Sequence, residues 1–478
     1  MPEFRFPCGP ASRRQFLTAS AAGFAGLAGR VAAAEAGAPA AFAPPLPFAP
    51  DPRQRAHLSR SLSLLNSGTA QSPVPVRILF YGQSITEQSW WRTVADFLRA
   101  TYPHARLQIE NRAIGGHAAQ LLVKTAEADL YPFQPDLLIF HVYGHHERYE
   151  DLIRRVRERT TADILIQTDH VTKPADLTEE QNPASLSPKQ WDAWMNHQHL
   201  PTVAQRYGAC LADVRSHWKR HLRDTQLEPA AFLRDSVHLN DHGCFLMAEI
   251  LQRYLAPLDS APLLQPYDCP RVRTLPLTPG SGPLKLQFQG HRVDLIGSDT
   301  PGETEVGIDG RPPNRWPELV HATRTSAFPQ SNWPQLLQVQ SEAPRVAETW
   351  TLTFLELSPD LSRGRFQLRG SVSGDDGEGQ LEQRFVSRSK RVVIEPDDWN
   401  LKYCQQVFHR SMAAGATVTW EDRISGRDRI AAESGAAVTV AAGLPEGVHQ
   451  LTLSERRGIR AVRVYSPAGQ ARVSPIGI

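Results

Sequence analysis

At 478 residues the chain is longer than one ordinary domain and calls for two or three. Its 52 Lys and Arg against 50 Asp and Glu leave a formal charge of +2, which excludes the basic footprint of a nucleic-acid binder and a polyanionic tail. Most of the 32 Gly fall in the second half, which with the plentiful Pro predicts many turns and short strands there.

The N-terminus reads as an address. Ser12-Arg13-Arg14-Gln15-Phe16-Leu17 is a twin-arginine pattern, an Ala/Gly-rich apolar run follows to Gly29, and Ala32-Ala33-Ala34 offers small residues for cleavage. Residues 1–34 are therefore predicted to be a signal for the Tat export machinery, with a periplasmic or secreted destination. The run is too short for a permanent membrane span. Residues 35–59, rich in Ala and Pro, are predicted to be a flexible linker. Cys8 leaves with the signal, and the four remaining cysteines are too scattered for a disulfide scaffold or a zinc spacing. One bridge among them is compatible with the periplasm.

Residues 60–262 alternate apolar runs with helical patterns. Strands are predicted at 76–81, 107–110, 137–143, 164–168 and 210–214, and helices at 89–100, 117–129, 148–159, 188–207 and 242–255. Pro201 should kink or divide the fourth helix. Five strands alternating with helices predict a parallel sheet covered on both faces, a three-layer α/β/α domain of flavodoxin-like type.

The first strand ends at Gly82-Gln83-Ser84. A serine at the carboxyl end of a strand, on a glycine-assisted turn, lies where open α/β sheets place their ligands. Alone it is equally the capping serine of a helix. Far downstream, Asp235-Ser236-Val237-His238 puts a carboxylate and an imidazole three residues apart just before a helix. There the Asp can fix the tautomer of His238 while the other ring nitrogen reaches Ser84. A lone D-x-x-H says little; paired with the strand-end serine it becomes specific.

These blocks resemble those of the SGNH/GDSL hydrolase superfamily. Gly82-Gln83-Ser84-Ile85 is similar to its G-D-S-(L/I) block, Asn111-Arg112-Ala113-Ile114-Gly115-Gly116 to its Asn-x-Gly-x-x-Gly block, Gly144-His145-His146-Glu147 to its G-x-N-D block, and Asp235–His238 to its D-x-x-H block. The resemblance spans about residues 75–255. It implies Ser84 as nucleophile, His238 as base, Asp235 as its orienting carboxylate, and an oxyanion hole built from Ser84, Gly116 and His146. Two positions depart from the pattern. Gln83 replaces the usual Asp, as in some sugar O-acetylesterases of the superfamily, and His146 stands at the position of the oxyanion Asn. No metal or cofactor is implied. His141, His145, His146, Glu147 and His170 invite a metal reading, but His141 is predicted in a strand and His145 beyond it, so their spacing does not align ligands. Trp90, Trp91 and His145 are candidate substrate contacts, with packing in the core as the alternative for the tryptophans.

After a Pro/Leu-rich linker at 263–283 the pattern turns to period two. Leu284, Leu286 and Phe288 alternate with polar residues, as do Trp350, Leu352 and Phe354, and later Val418 and Trp420, with Gly/Asp turns between. This predicts one or two β-sandwiches, divided as 263–379 and 380–478. They resemble the jelly-roll modules found beside SGNH domains in carbohydrate esterases, and either bind glycan or serve as a structural appendage. The whole reads as an exported serine esterase that removes small acyl groups, above all acetyl, from a carbohydrate or polysaccharide ester. A lipid or short-chain carboxylesterase and a glycan-binding surface protein with a decayed hydrolase domain are the alternatives.

Overall fold

The computed structural model describes residues 42–178, 182–257 and 265–476. The predicted signal at 1–34 lies outside the described residues. Five parallel strands form the first sheet: β1 (Val74–Gly82), β2 (Ala105–Asn111), β3 (Leu137–His141), β4 (Asp163–Gln167) and β5 (Cys210–Ala212), in the order β2-β1-β3-β4-β5. That order places the topological switch beside β1, at whose carboxyl end Ser84 stands.

β3, β4 and most of β1 read as continuous runs because both faces are covered, whereas the edge strand β2 alternates and is only partly buried. Leu79, Tyr81, Leu138 and Phe140 pack towards the helices Ala119–Asp129 and His146–Arg159. Ile78, Phe80 and Ile139 share the opposite core with the helices Trp90–Thr101 and Asp241–Leu255. The predicted fourth helix is broken, with a π-helical stretch Met195–His199 just ahead of Leu200–Tyr207, where Pro201 supplies no N–H. Among the described residues no helix is long and apolar enough to cross a membrane.

The predicted flexible linker is corrected from residue 42 onward. Phe42 stacks on His242 at 4.5 Å and Phe48 on His217 at 3.5 Å, which anchors the segment on the first domain. The helix Ser59–Asn66 follows, with Arg60 almost fully buried in an ion pair to Asp136 (2.8 Å) and Ser61 N donating to Asp163 Oδ2 (2.7 Å). Arginine and serine turned inward towards acidic partners hide this helix from an apolar periodicity. Breaking such a buried pair costs about 3–5 kcal/mol.

The second half holds β6 (Asp268–Cys269), β7 (Val272–Pro276), β8 (Leu284–Gln289), β9 (Arg292–Gly297), β10 (Gly302–Ile308), β11 (Val320–Ala322), β12 (Glu348–Leu357), β13 (Gly364–Gly370), β14 (Gly374–Gln380), β15 (Phe385–Val386) and β16 (Val393–Ile394). It continues with β17 (Thr417–Ile424), β18 (Arg429–Ala432), β19 (Ala437–Ala442), β20 (Val448–Leu453), β21 (Ile459–Tyr465) and β22 (Arg472–Pro475). Sheets β18-β10-β20-β8-β22 and β19-β9-β21-β7-β6 enclose one core that includes Leu286, Phe288, Leu295, Val462 and Val464. Between β10 and β18 the chain leaves to build a second unit, sheet β11-β17-β12-β13-β14 with the pair β15-β16 and the helix Leu401–Phe408.

The expected boundary after Gly379 is therefore corrected: the second unit is nested inside the first. Likewise β6 and β7 lie in the stretch expected to be a linker. The predicted alternations hold, with Trp350 opposite Trp420 and Leu352 opposite Val418. One apolar cluster runs from Tyr81 and Ile114 of the first domain through Phe328, Trp333 and Leu336 into Trp350. Arg324 clamps the same junction with a bidentate pair to Asp129 (2.9 and 2.7 Å).

Candidate active site

Gly82 ends β1 against two neighbours; a Cβ there would lie 2.2 Å from His141 O and 2.4 Å from Thr86 Oγ1. The chain then turns at Gln83, whose carbonyl accepts from Thr86 N (2.8 Å) and Glu87 N (3.1 Å), so Ser84 opens the short helix Ser84–Glu87. Asn111 ties the second block to this turn, donating to Thr86 O (2.7 Å) and accepting from Ala113 N (2.9 Å).

The loop before the helix Asp241–Leu255 is closed on itself, with Arg234 N bonded to His238 O (2.9 Å) and Asn240 N to Phe232 O (3.0 Å). Asp235 Oδ1 accepts from Val237 N (2.9 Å) and His238 N (2.8 Å), and Asn240 caps the helix through Gly243 N (3.0 Å). Gln88 joins this loop to the serine turn in both directions, donating to Leu239 O (2.7 Å) and accepting from Leu239 N (3.0 Å). The result is a continuous chain: His238 Nε2 to Ser84 Oγ at 2.9 Å, and His238 Nδ1 to Asp235 Oδ2 at 2.8 Å.

Partial burial pulls the Asp235 carboxyl upward, but the backbone N–H groups of His238 and Val237 and the imidazole outweigh it and hold the group below the usual carboxylate range. Asp235 is thus an ionised partner for His238 at neutral pH.

Gly116 occupies the third position of a turn closed by His117 N on Ile114 O (3.1 Å), at φ +76°, the type II geometry that glycine serves. Among the described residues neither Ser84 N nor Gly116 N has a hydrogen-bond acceptor. An N–H group without an acceptor is free to receive a developing oxyanion.

In fold and in the order of its blocks, the first domain resembles the SGNH hydrolases. Similar solved structures include an acetylxylan esterase from Geobacillus stearothermophilus, 19% identical with TM-score 0.32 over 38% of this chain and 94% of that one. A putative GDSL-like lipase from Parabacteroides merdae is 19% identical, TM-score 0.31, over 38% and 95%. An α/β hydrolase enzyme from the metagenome of Lake Arreo is 18% identical, TM-score 0.32, over 39% and 97%. No protein-family model matches the chain. No curated protein matches it either.

The other candidate residues are placed differently. Trp90 is corrected from a substrate contact to a core residue: it is 0% exposed and its Nε1 donates to Ile85 O (2.6 Å). Trp91 packs partly buried on Phe80 with Arg92 over its ring. His145 is exposed. The His146 ring stands edge-on to Trp194 (4.9 Å) and His199 (5.2 Å), and no hydrogen bond engages it among the described residues. His141 binds Asp169 (2.9 Å), which Asn196 also holds (2.9 Å). Cys210, Cys244, Cys269 and Cys404 are all buried free thiols.

A cavity of about 480 Å³ opens between the domains, lined by Arg77, Arg112, Asp129, His321 and Arg324, away from Ser84. The hydrogen-bonded chain of Ser84, His238 and Asp235 lies outside the lining of this cavity. Sequence reasoning met His170 only as part of a metal reading and missed Gln88; both buttress the loop. It also missed Trp333 and Tyr403, which reach the Gly116 turn from the second half. Gln88, four residues after the serine, had a positional signal; the two aromatics had none.

Proposed function

We propose that the chain is an exported serine esterase that removes small acyl groups, acetyl foremost, from a carbohydrate. The observation that carries this is the relay Ser84–His238–Asp235, with distances of 2.9 and 2.8 Å, together with the Ser84 and Gly116 N–H groups, which lack acceptors among the described residues. His238 Nε2 takes the Ser84 proton as Oγ attacks the ester carbonyl, and the imidazolium that forms is stabilised by Asp235. The N–H groups of Ser84 and Gly116 receive the tetrahedral oxyanion, each such donor being worth about a hundred- to a thousand-fold in rate. His238 then returns the proton to the leaving sugar hydroxyl. Water, activated by the same ring, cleaves the acyl-enzyme.

The carbohydrate is supported by Gln83, which resembles the first block of some sugar O-acetylesterases, and by the antiparallel units beside the catalytic domain. Export through the Tat machinery is supported by Arg13 and Arg14 ahead of an apolar run. The test is a comparison of p-nitrophenyl acetate with long-chain p-nitrophenyl esters and an acetylated polysaccharide. Preference for acetate and release of acetate from the polysaccharide are expected. Preference for long chains would make the protein a lipid esterase, and inertness towards every ester would overturn the reading.

A further inference from the structure

We propose that the nested second unit is part of the catalytic machinery, with Tyr403 and Trp333 as positioning residues for Gly116. This rests on the reading of Gly116 N–H as an oxyanion donor. Gly115 and Gly116 stand together at the centre of the turn Ile114–His117. Neither glycine carries a Cβ that could wedge the turn in place, so the turn is free to shift unless something outside it holds it. A shift of Gly116 would carry its N–H away from the carbonyl under attack.

The first domain fixes only the approach to this turn. Ile114 N bonds Gly82 O at 2.9 Å and Asn111 holds Ala113 N. The Gly116 carbonyl, by contrast, accepts from Tyr403 Oη at 2.9 Å, a donor 287 residues away in sequence. Trp333 covers the glycine so closely that a Cβ would lie 2.5 Å from its Cζ2. The same indole meets His117 edge-on at 4.7 Å, and Asn400 Nδ2 lies 3.4 Å from His117 Nε2. Trp333 and Asn400 are buried, so this contact is internal structure. A carbonyl tethered on one side and an indole packed on the other hold the Cα and carbonyl of Gly116 in place, and with them the position from which its N–H is presented.

The inference is tested with the full chain in three variants. Tyr403→Phe keeps the ring and removes only the donor. It should lower kcat about fivefold with KM unchanged, the effect of one hydrogen bond felt in the transition state. Affinity for phenylboronic acid, whose serine adduct carries a tetrahedral oxyanion, should fall by the same factor. Trp333→Leu should lower both further. Lys124→Ala removes ion pairs to Asp397 (2.8 Å) and Asp398 (2.9 Å) at the same domain junction; it should lower Tm and leave kcat unchanged. Wild-type kcat and boronate affinity in Tyr403→Phe would overturn the inference. So would an equal kcat loss in Lys124→Ala, which would reduce the effect to general loosening. Active wild type with an unaffected Tyr403→Phe sinks this inference alone; a wild type inert towards esters sinks the esterase reading with it.

Discussion

His170 Nε2 lies 2.8 Å from the carbonyl oxygen of Val237, the residue immediately before His238 on the loop that carries Asp235. Its Nδ1 is buried without a partner among the described residues, so the neutral ring donates from Nε2. Arg215 Nη1 reaches the His170 carbonyl at 3.2 Å, so the loop Asp235–His238 is backed by a buried polar layer. His170→Ala would leave that carbonyl unpaired, which costs about 1–3 kcal/mol. The expected result is a drop in Tm and a fall in kcat larger than any rise in KM, read from denaturation and steady-state kinetics.

The same residue sets a pH response. Burial drives His170 down to about 4, below the 6.5 of a free imidazole, and nearby His141 adds to the effect. The unfolded chain therefore takes up the proton first as pH falls. Stability from the neutral ring is whole above about 6.5 and is lost as pH falls through about 4. His117, held at about 3 mainly by burial, extends the loss to lower pH. Tm should decline steadily from pH 6.5 to 4, and less steeply in His170→Asn. A flat profile in the wild type would count against the buried neutral ring.

Most of the first domain was legible because its strands are buried on both faces and its helices carry apolar stripes, as in Leu137–His141 and His146–Arg159. The helix Ser59–Asn66 was not, since Arg60 and Ser61 face Asp136 and Asp163, and that pairing is set by tertiary structure. The nesting of the second unit was hidden for a similar reason: β10 pairs with β18 and β20 across more than a hundred intervening residues, and local periodicity carries no record of partners. Ser84, Asp235 and His238 stood out because order along the chain and residue type were enough. Tyr403 stands in an ordinary amphipathic helix, and only the fold brings it to Gly116.

Loss of the base should nearly equal loss of the nucleophile. His238→Ala is expected to reduce kcat by at least about a thousand-fold, because the relay acts as a unit. Asp235→Asn should cost less, since the ring keeps its position between Ser84 and the loop while losing the charge behind it. Equal and mild effects in steady-state kinetics would point to another base. His242 is poorly suited to that role, its ring being stacked between Phe42 (4.5 Å) and Phe232 (4.1 Å).

His146 separates the sequence expectation from the geometry. A side-chain donor to the oxyanion predicts about a hundred-fold loss in kcat for His146→Ala. With its ring held against Trp194 and His199, the structure instead predicts a change below about threefold and a lower Tm from lost aromatic contact. His145→Ala, at an exposed position, should alter neither. A hundred-fold loss with KM unchanged would return His146 to the hole.

The central claim is that Ser84 Oγ forms the acyl-enzyme, and covalent labelling measures it most directly. Wild-type protein treated with diisopropyl fluorophosphate should gain one diisopropylphosphoryl group. Peptide mass spectrometry should place it on Ser84, with hydrolysis of p-nitrophenyl acetate lost in proportion to labelling. Ser84→Ala should take up no label and hydrolyse no ester while keeping the wild-type Tm. Label on another residue, or substantial esterase activity remaining in Ser84→Ala, would contradict the assignment.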